Sequence, residues 1–339
     1  MSELVRVALD AMGGDFAPER QVNGMVEALK ESEKLFVYLV GQPDKINEEL
    51  KKYDYDKSRV EIVEASEIID PNEPPVKAVR SKSDSSIVKG LYMVREGKCD
   101  AFVSSGSSGA VLVGGQLIVG RLKGVERAPF APFIPNLTGC SLLIDCGANV
   151  DAKPKHLLQF AKMGSIYYKN AIGVEKPRVA LANIGAEEEK GNALVKEAYP
   201  IFAACEDINF IGGIEPADIL AGKADVVVCE AFVGNMILKT LEATATLVTG
   251  QIKKGLKSTL RSKIGAALAL PALKKTLKGF STDDYGGAPM LGLKGLVVKV
   301  HGGAKVIEIK NALLQCDTFK SLKINEQISA NLDVEEANS

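Results

Sequence analysis

The stretch "VALANIGAEEEKGNALVKEAY" (residues 179–199) opens on an apolar run and closes on a helical one. Strand, short polar loop and helix in that order form the unit from which parallel α/β sheets are built. Between strand and helix lie three glutamates, then Lys190, Gly191 and Asn192. A lysine just ahead of a helix start faces the positive end of the helix dipole, an unfavourable place for a cation. The residues alone leave two readings open. One is a solvated charge run on a loop. The other is an anion seated before the helix, held by the amine and by backbone N–H groups.

The same strand–loop–helix order recurs along the chain. "VRVALD" (5–10), "LFVYLVG" (35–41), "RVEIVEA" (59–65), "DAFVSS" (100–105), "SLLIDC" (141–146), "RVALANIG" (178–185), "INFIGG" (208–213) and "ADVVVCE" (224–230) read as strands. They are mostly continuous rather than alternating, as parallel strands buried on both faces must be. Strands alternating with helices predict right-handed crossovers and a three-layer α/β/α sandwich around a mostly parallel sheet. Five strand ends run into small residues: "AMGGD", "SSGSSGA", "CGANVD", "GAEEEKGN" and "EAFVGN". Ligands bind at the carboxyl ends of parallel strands, so these loops predict one site on one sheet edge. "KGNALVKEA" and "VGNMILKTLEA" each put Gly-Asn before an apolar helix, with Asn192 and Asn235 at N-cap positions.

The 339 residues suffice for one large α/β domain or two smaller ones. With 46% apolar and 25% charged residues, a packed core is expected and wholesale disorder is not. The balance of 42 basic against 43 acidic residues gives no global argument for nucleic acid as a partner. Six cysteines lack C-x-x-C or zinc-finger spacing and sit largely in apolar runs, which suits packing in a reducing cytosol. The N-terminus enters a strand at once, leaving no room for a signal peptide. The longest low-charge apolar segment, 264–273, contains Pro271 and is too short to span a bilayer. No G-x-G-x-x-G, G-x-x-x-x-G-K-[ST] or G-x-S-x-G is present. His156 and His301 lie far apart, outside any metal-spaced cluster, so no cofactor or metal is expected.

"VALDAMGGDFAPE", "DCGANVDAKPKHLLQFAKMGSIY", "NIGAEEEKGN", "ADVVVCEAFVGN" and "YGGAPMLGLKGLVVKVHG" together resemble the PlsX family, over residues 5 to 325. These are bacterial phosphate acyltransferases, which make acyl phosphate from acyl-acyl carrier protein and inorganic phosphate for phospholipid synthesis. The resemblance implies a Rossmann-like fold akin to isopropylmalate dehydrogenase and phosphotransacetylase. It also implies a homodimer, cytoplasmic and peripherally membrane-associated, with a downstream membrane acyltransferase as a further partner. Carried over by motif, Lys190 and Asn235 are the catalytic pair, and Asn149 and Asp151 of "GANVD" join the site. Three departures stand out. Ser107 and Ser108 replace Asn and Thr of the usual S-A-G-N-T-G-A, His301-Gly302-Gly303-Ala304 replaces H-G-S-S, and Cys146 stands where valine is usual.

The chemistry suits such residues. Phosphate is already an anionic nucleophile, and a thiolate with a pKa near ~8.5 leaves without a strong acid. The site must hold an anion beside a carbonyl and stabilise the developing oxyanion, which lysine, amides and backbone N–H groups can do. Lys190 is therefore assigned to charge neutralisation and Asn235 to partner hydrogen bonds. Substrate contacts are expected from Gly13 and Gly14, from Ser85 and Ser86 at a helix start, and from Ser105, Gly106, Ser107, Ser108 and Gly109. Ser85 and Ser86 read equally well as helix caps. Gly106 and Gly109 are expected to allow close backbone approach to a ligand. Asp10 and Asp15 order the first loop, because a carboxylate beside phosphate repels.

Residues 251–280 contain eight lysines and arginines and no acid. They read as two helices meeting at an apolar tip, "IGAALALPAL", broken by Pro271. This basic hairpin is expected to meet acyl carrier protein, anionic lipid or both, through Lys263, Leu268, Leu270, Lys274 and Lys275. The expected organisation is one catalytic domain over 1–325 and a fraying tail over 326–339. Two other functions compete: a decarboxylating 2-hydroxyacid dehydrogenase of related fold, and a non-catalytic scaffold that binds carrier protein.

Overall fold

All eight runs form strands; most are buried on both faces and so leave no polar alternation to mislead, whereas the edge strands at 60–64 and 209–214 stay partly exposed. The computed structural model describes residues 4–279 and 285–338, with side chains apart from those of 274, 275, 277–279 and 333–338. In chain order, β1 (Val5–Asp10), α1 (Glu19–Glu31), β2 (Leu35–Gly41), α2 (Pro43–Leu50) and β3 (Val60–Glu64) come first. There follow α3 (Pro75–Ser81), α4 (Ser86–Arg95), β4 (Ala101–Ser104), α5 (Ser108–Gly114), β5 (Phe133–Asn136), β6 (Gly139–Ile144) and α6 (Pro154–Ile172). Next are β7 (Arg178–Ala182), α7 (Ala193–Ala203), β8 (Asn209–Ile214), α8 (Pro216–Leu220), β9 (Val226–Val228), α9 (Ala231–Leu256) and α10 (Leu260–Gly279). The chain closes with β10 (Ala288–Met290), β11 (Leu296–Lys299), α11 (Val306–Ser321) and α12 (Ile324–Asn338).

The strands make two sheets, where the sequence predicts one. The chain accordingly divides into two compact units: Met1–Pro132, Lys162–Lys176 and Asp283–Ser339 form the first, and Phe133–Ala161 and Pro177–Thr282 the second. The first sheet has the order β10-β11-β4-β1-β2-β3 and the second β5-β6-β9-β7-β8. Each is parallel except for one antiparallel edge strand, β10 in the first and β5 in the second. The sequence pattern saw neither edge strand. Both carry a proline, Pro289 and Pro135, which is tolerated on an edge but reads as a turn.

In the first unit α4 packs on β1 and β4, and α1 packs along α11. Phe102 of β4 is fully buried and lies where a side chain on Gly90 of α4 would have to go. Gly24 plays the same part between helices: a Cβ there would stand 2.6 Å from Ile309 Cβ. The expected frayed tail is a helix instead. Ile324, Ile328 and Leu332 of α12 recur at helical spacing, and none is more than 2% exposed.

In the second unit α9 and α10 form the expected hairpin, with its turn in a different place. The reversal falls at residues 257–259, and Pro271 lies inside α10. Ser258 and Thr259 explain the shift. Ser258 donates through Oγ to Gly255 O at 2.7 Å, closing α9, and Thr259 Oγ accepts from Ser262 N at 3.0 Å, opening α10.

The α1–α11 contact yields a test. In Gly24→Val the bulkier residue should cost about 1–3 kcal/mol through overpacking. That exceeds the roughly 1 kcal/mol or less gained by removing a helix-interior glycine. A urea midpoint unchanged from wild type would show that the two helices can separate freely.

Candidate functional site

The loops singled out in the sequence fall at the carboxyl ends of their strands, at two sheet edges rather than one. Those after residues 10 and 103 follow the neighbouring strands β1 and β4 of the first sheet. Those after 145, 184 and 229 belong to β6, β7 and β9, which are adjacent in the second sheet in the order β6-β9-β7. The three loops of the second unit thus share one edge; they carry Asn149, Asp151 and Lys190, and the third leads into the helix that carries Asn235.

Asp145, fully buried just past β6, shapes the first of these. Its carboxylate accepts from Ala148 N at 3.2 Å, Asn149 N at 2.8 Å and Asn149 Nδ2 at 2.8 Å. Asn149 is buried and serves this loop, whereas Asp151 is exposed. The loop also grips the next element, since Asn149 O accepts from Ala231 N at 3.1 Å. Gly234 lies so close to the carbonyl of Asp145 that no Cβ fits there.

Helix α9 starts earlier than the sequence suggests. Its N-cap is Glu230, which accepts from Phe232 N at 2.5 Å and Val233 N at 3.0 Å. Asn235 is therefore not a cap. It sits in the second turn, exposed, with Oδ1 3.9 Å from where a Cβ on Gly147 would stand. Its amide is free of capping duty and open to a ligand.

In the loop after β7, Asn192 does cap α7, accepting from Val195 N at 2.9 Å. Gly191 turns the chain with φ 98°, a backbone that favours glycine. Lys190 is exposed, and its ammonium has no ion pair among the described residues despite the glutamates beside it. Its backbone is held at both ends: Lys190 N donates to Glu187 O at 3.1 Å, and Lys190 O accepts from Asn183 Nδ2 at 3.3 Å. Asn183 carries no signal in the sequence, because an asparagine before Ile-Gly at a strand end looks like ordinary turn chemistry.

In the first unit the loop residues mostly bind one another. Asp10 is fully buried; Ser104 Oγ donates to it at 2.6 Å and Met12 N at 3.1 Å. Burial pushes its carboxyl above the usual range, and hydrogen bonds from Ser104 and Ser86 pull it back. Ser85 caps α4, accepting from Val88 N at 3.3 Å, and Ser107 caps α5, accepting from Ala110 N at 3.4 Å. Ser105 Oγ donates to Gly13 O at 2.9 Å and accepts from Gln21 Nε2 at 2.9 Å. Of the five candidate serines only Ser108 is exposed. The candidate glycines have protein neighbours: Gly13 packs on Gly106 and Asp10, Gly14 on Gly302 O and Ser105 Oγ, and Gly109 on Pro75. The altered His301–Ala304 turn holds the first loop, with Gly302 O accepting from Asp15 N at 2.9 Å. Arg20 Nη1 donates to Gly303 O at 2.9 Å and Ala304 O at 2.8 Å.

The thiols are packing groups. Burial pushes Cys99 up to about 12 and drives Cys146, Cys229 and Cys316 well above the ordinary thiol range. Among the described residues no group of three His, Cys, Asp or Glu is placed to hold a metal ion.

Solved structures agree on the fold class. A phosphotransacetylase from Streptococcus pyogenes matches with a TM-score of 0.59, covering 94% of this chain and 95% of its own at 17% identity. A branched-chain phosphotransacylase from Enterococcus faecalis V583 gives 0.58 at 17% identity, covering 93% and 98%. The architecture is thus the α/β, Rossmann-like one of the phosphotransacylases. Sequence comparison is more specific. The family model described as "Fatty acid synthesis protein" matches residues 5–327. A phosphate acyltransferase of Clostridium botulinum (strain Alaska E43 / Type E3) is 48% identical over 325 residues, covering 96% of this chain and 98% of that protein. One from Clostridium acetobutylicum is 45% identical over 327 residues, covering 96% and 98%. The chain belongs to this family, the PlsX phosphate acyltransferases of fatty acid and phospholipid synthesis, and is a transferase. The dehydrogenase and scaffold alternatives give way to that result.

Cysteine accessibility follows from the geometry. Only Cys205 is not buried, so it alone should react promptly with a disulfide reagent at pH 8. The other five should appear only on unfolding. Rapid modification of Cys146 in the native protein would show that its loop opens.

Proposed function

We propose that the chain moves a fatty acyl group from acyl-acyl carrier protein to inorganic phosphate, giving acyl phosphate for phosphatidic acid synthesis. Residues 1–325 carry the activity. A phosphate oxygen attacks the thioester carbonyl, the C–O bond forms, the C–S bond breaks, and the carrier thiolate leaves. The observation that carries the reading is Lys190. An exposed ammonium without an ion pair among the described residues, on a backbone held at both ends, supports a charge donor at this loop over one member of a solvated run. Lys190 neutralises the phosphate and the forming oxyanion, and the exposed amide of Asn235 supplies hydrogen bonds. In the first unit, Gly13, Gly14, Ser85, Ser86 and residues 105–109 contribute substrate contacts. Their internal hydrogen bonds leave backbone N–H groups and Ser108 as the most available donors.

The hairpin supports a second role at a membrane surface. Among the described residues no helix is long and apolar enough to cross a membrane. Leu260, Ile264 and Leu268 on α10 are nevertheless 75%, 57% and 80% exposed, with Lys263 exposed beside them. Such a surface asks for a partner. We assign it to peripheral contact with anionic lipid and carrier protein in a cytoplasmic homodimer. The side chains of Lys274 and Lys275 lie outside the described residues.

Two experiments test this. Hydroxylamine should trap acyl phosphate from acyl-acyl carrier protein only when inorganic phosphate is present. Lys190→Ala should lower kcat by on the order of 10²–10³ with the fold intact, and Lys190→Arg should rescue poorly, because a planar fork does not replace a compact ammonium. Near-normal turnover in Lys190→Ala returns the lysine to the solvated-run reading. Separately, replacing Leu268 and Leu270 with glutamate should release the protein from anionic vesicles and leave turnover of soluble substrate largely intact. A variant that stays bound to vesicles but loses turnover would make the hairpin part of the catalytic fold.

A further inference from the structure

We propose that Asn183 is the positioning residue of Lys190: its side-chain amide ties together the two ends of the 184–190 loop and so fixes the backbone from which the lysine reaches the substrate. The inference rests on the role given to Lys190 above.

Asn183 is the first residue beyond β7 and is only 8% exposed. Its own N–H donates to Ile214 O at 2.9 Å, continuing the β7–β8 pairing, so the residue is anchored to the sheet. From that anchor Oδ1 accepts from Ile184 N at 2.8 Å, at the start of the loop. Nδ2 donates to Lys190 O at 3.3 Å, at its end. A carbonyl can only accept and an N–H only donate, so one orientation of the amide satisfies both contacts.

The slot for this amide is formed on two sides. Gly191, in the left-handed region, presses against Asn183 Oδ1 so closely that a Cβ there would collide with it. A Cβ on Gly213 of β8 would stand 3.0 Å from Asn183 Nδ2. Beyond Lys190 the chain is fixed again by the Asn192 cap. Because the Lys190 ammonium has no ion pair of its own among the described residues, this backbone sets the point from which its side chain reaches.

Asparagine is therefore required for having one donor and one acceptor on a planar group. Aspartate has the same shape but turns an acceptor toward Lys190 O. The bond to Lys190 O is lost and the carbonyl is repelled.

The test is a double-mutant cycle on the full chain, using acyl-acyl carrier protein and phosphate, with circular dichroism and thermal unfolding as fold controls. Asn183→Asp should lower kcat on the order of 10²-fold, the scale of a misplaced reacting group, with KM for the acyl donor little changed. In the Lys190→Ala background the same substitution should cost almost nothing further, because the group it positions is gone. Asn183→Ala, which deletes the amide without adding charge, should show the same lack of additivity and serves if Asn183→Asp does not fold. Normal kcat in the folded Asn183 variants, or losses that multiply with that of Lys190→Ala, would overturn the inference and leave the role of Lys190 standing. Normal turnover in Lys190→Ala removes both.

Discussion

A carboxylate taken fully out of water must be satisfied by donors, and each unit uses one such group to shape the loop after a strand. Asp10 ends β1 and Asp145 follows β6, and both are fully buried. Asp10 draws Ser104 Oγ and Met12 N onto itself, and Asp145 draws in the N–H groups of Ala148 and Asn149. The loops are thus bent around a buried carboxyl group before any ligand arrives. A buried carboxylate left short of donors costs far more than a lost surface contact. The small residues around each aspartate follow from this, because glycine and serine let backbone N–H groups and hydroxyls come close.

This explains why so many candidate residues serve the protein and only a few face outward. Ser85, Ser105 and Ser107 give their hydroxyls to internal bonds, and Asn149 gives its amide to Asp145. What remains exposed is sparse: Lys190, Asn235, Asp151 and Ser108. A transferase whose nucleophile is already anionic needs little more than a placed cation and a few hydrogen-bond donors. On the proposed function, the internal network would supply the placement and the exposed groups the chemistry.

Most strands were legible because double-sided burial leaves an unbroken apolar run, and the family motifs pointed to Lys190 and Asn235 as candidates. Other features were hidden for identifiable reasons. β5 and β10 are short and contain proline, so they read as turns. The division into two sheets leaves no local mark, because each strand carries the same pattern whichever sheet it joins. By composition Pro271 is the stronger breaker, whereas Ser258 and Thr259 close and open the two helices through side-chain hydrogen bonds. The tail looked polar and frayed, yet Ile324, Ile328 and Leu332 bury one helical stripe. Asn183 was missed because its meaning depends on Lys190 O, seven residues on, a contact no spacing rule announces.

Helix α9 connects the two functional parts of the second unit. Its first turn is fixed by the Glu230 cap, by Ala231 N on Asn149 O, and by Gly234 against the Asp145 carbonyl. Those contacts set the position of Asn235 one residue later. They also set the direction of a 26-residue helix, about 39 Å long at 1.5 Å per residue, whose far half is exposed along with α10. The lack of room at Gly234 is therefore a constraint on two places at once. A side chain there would have to push the helix off the Asp145 loop, moving Asn235 by the size of the clash and the hairpin by a lever many times longer. The positions of Asn235 and of the exposed apolar surface are set by the same few contacts.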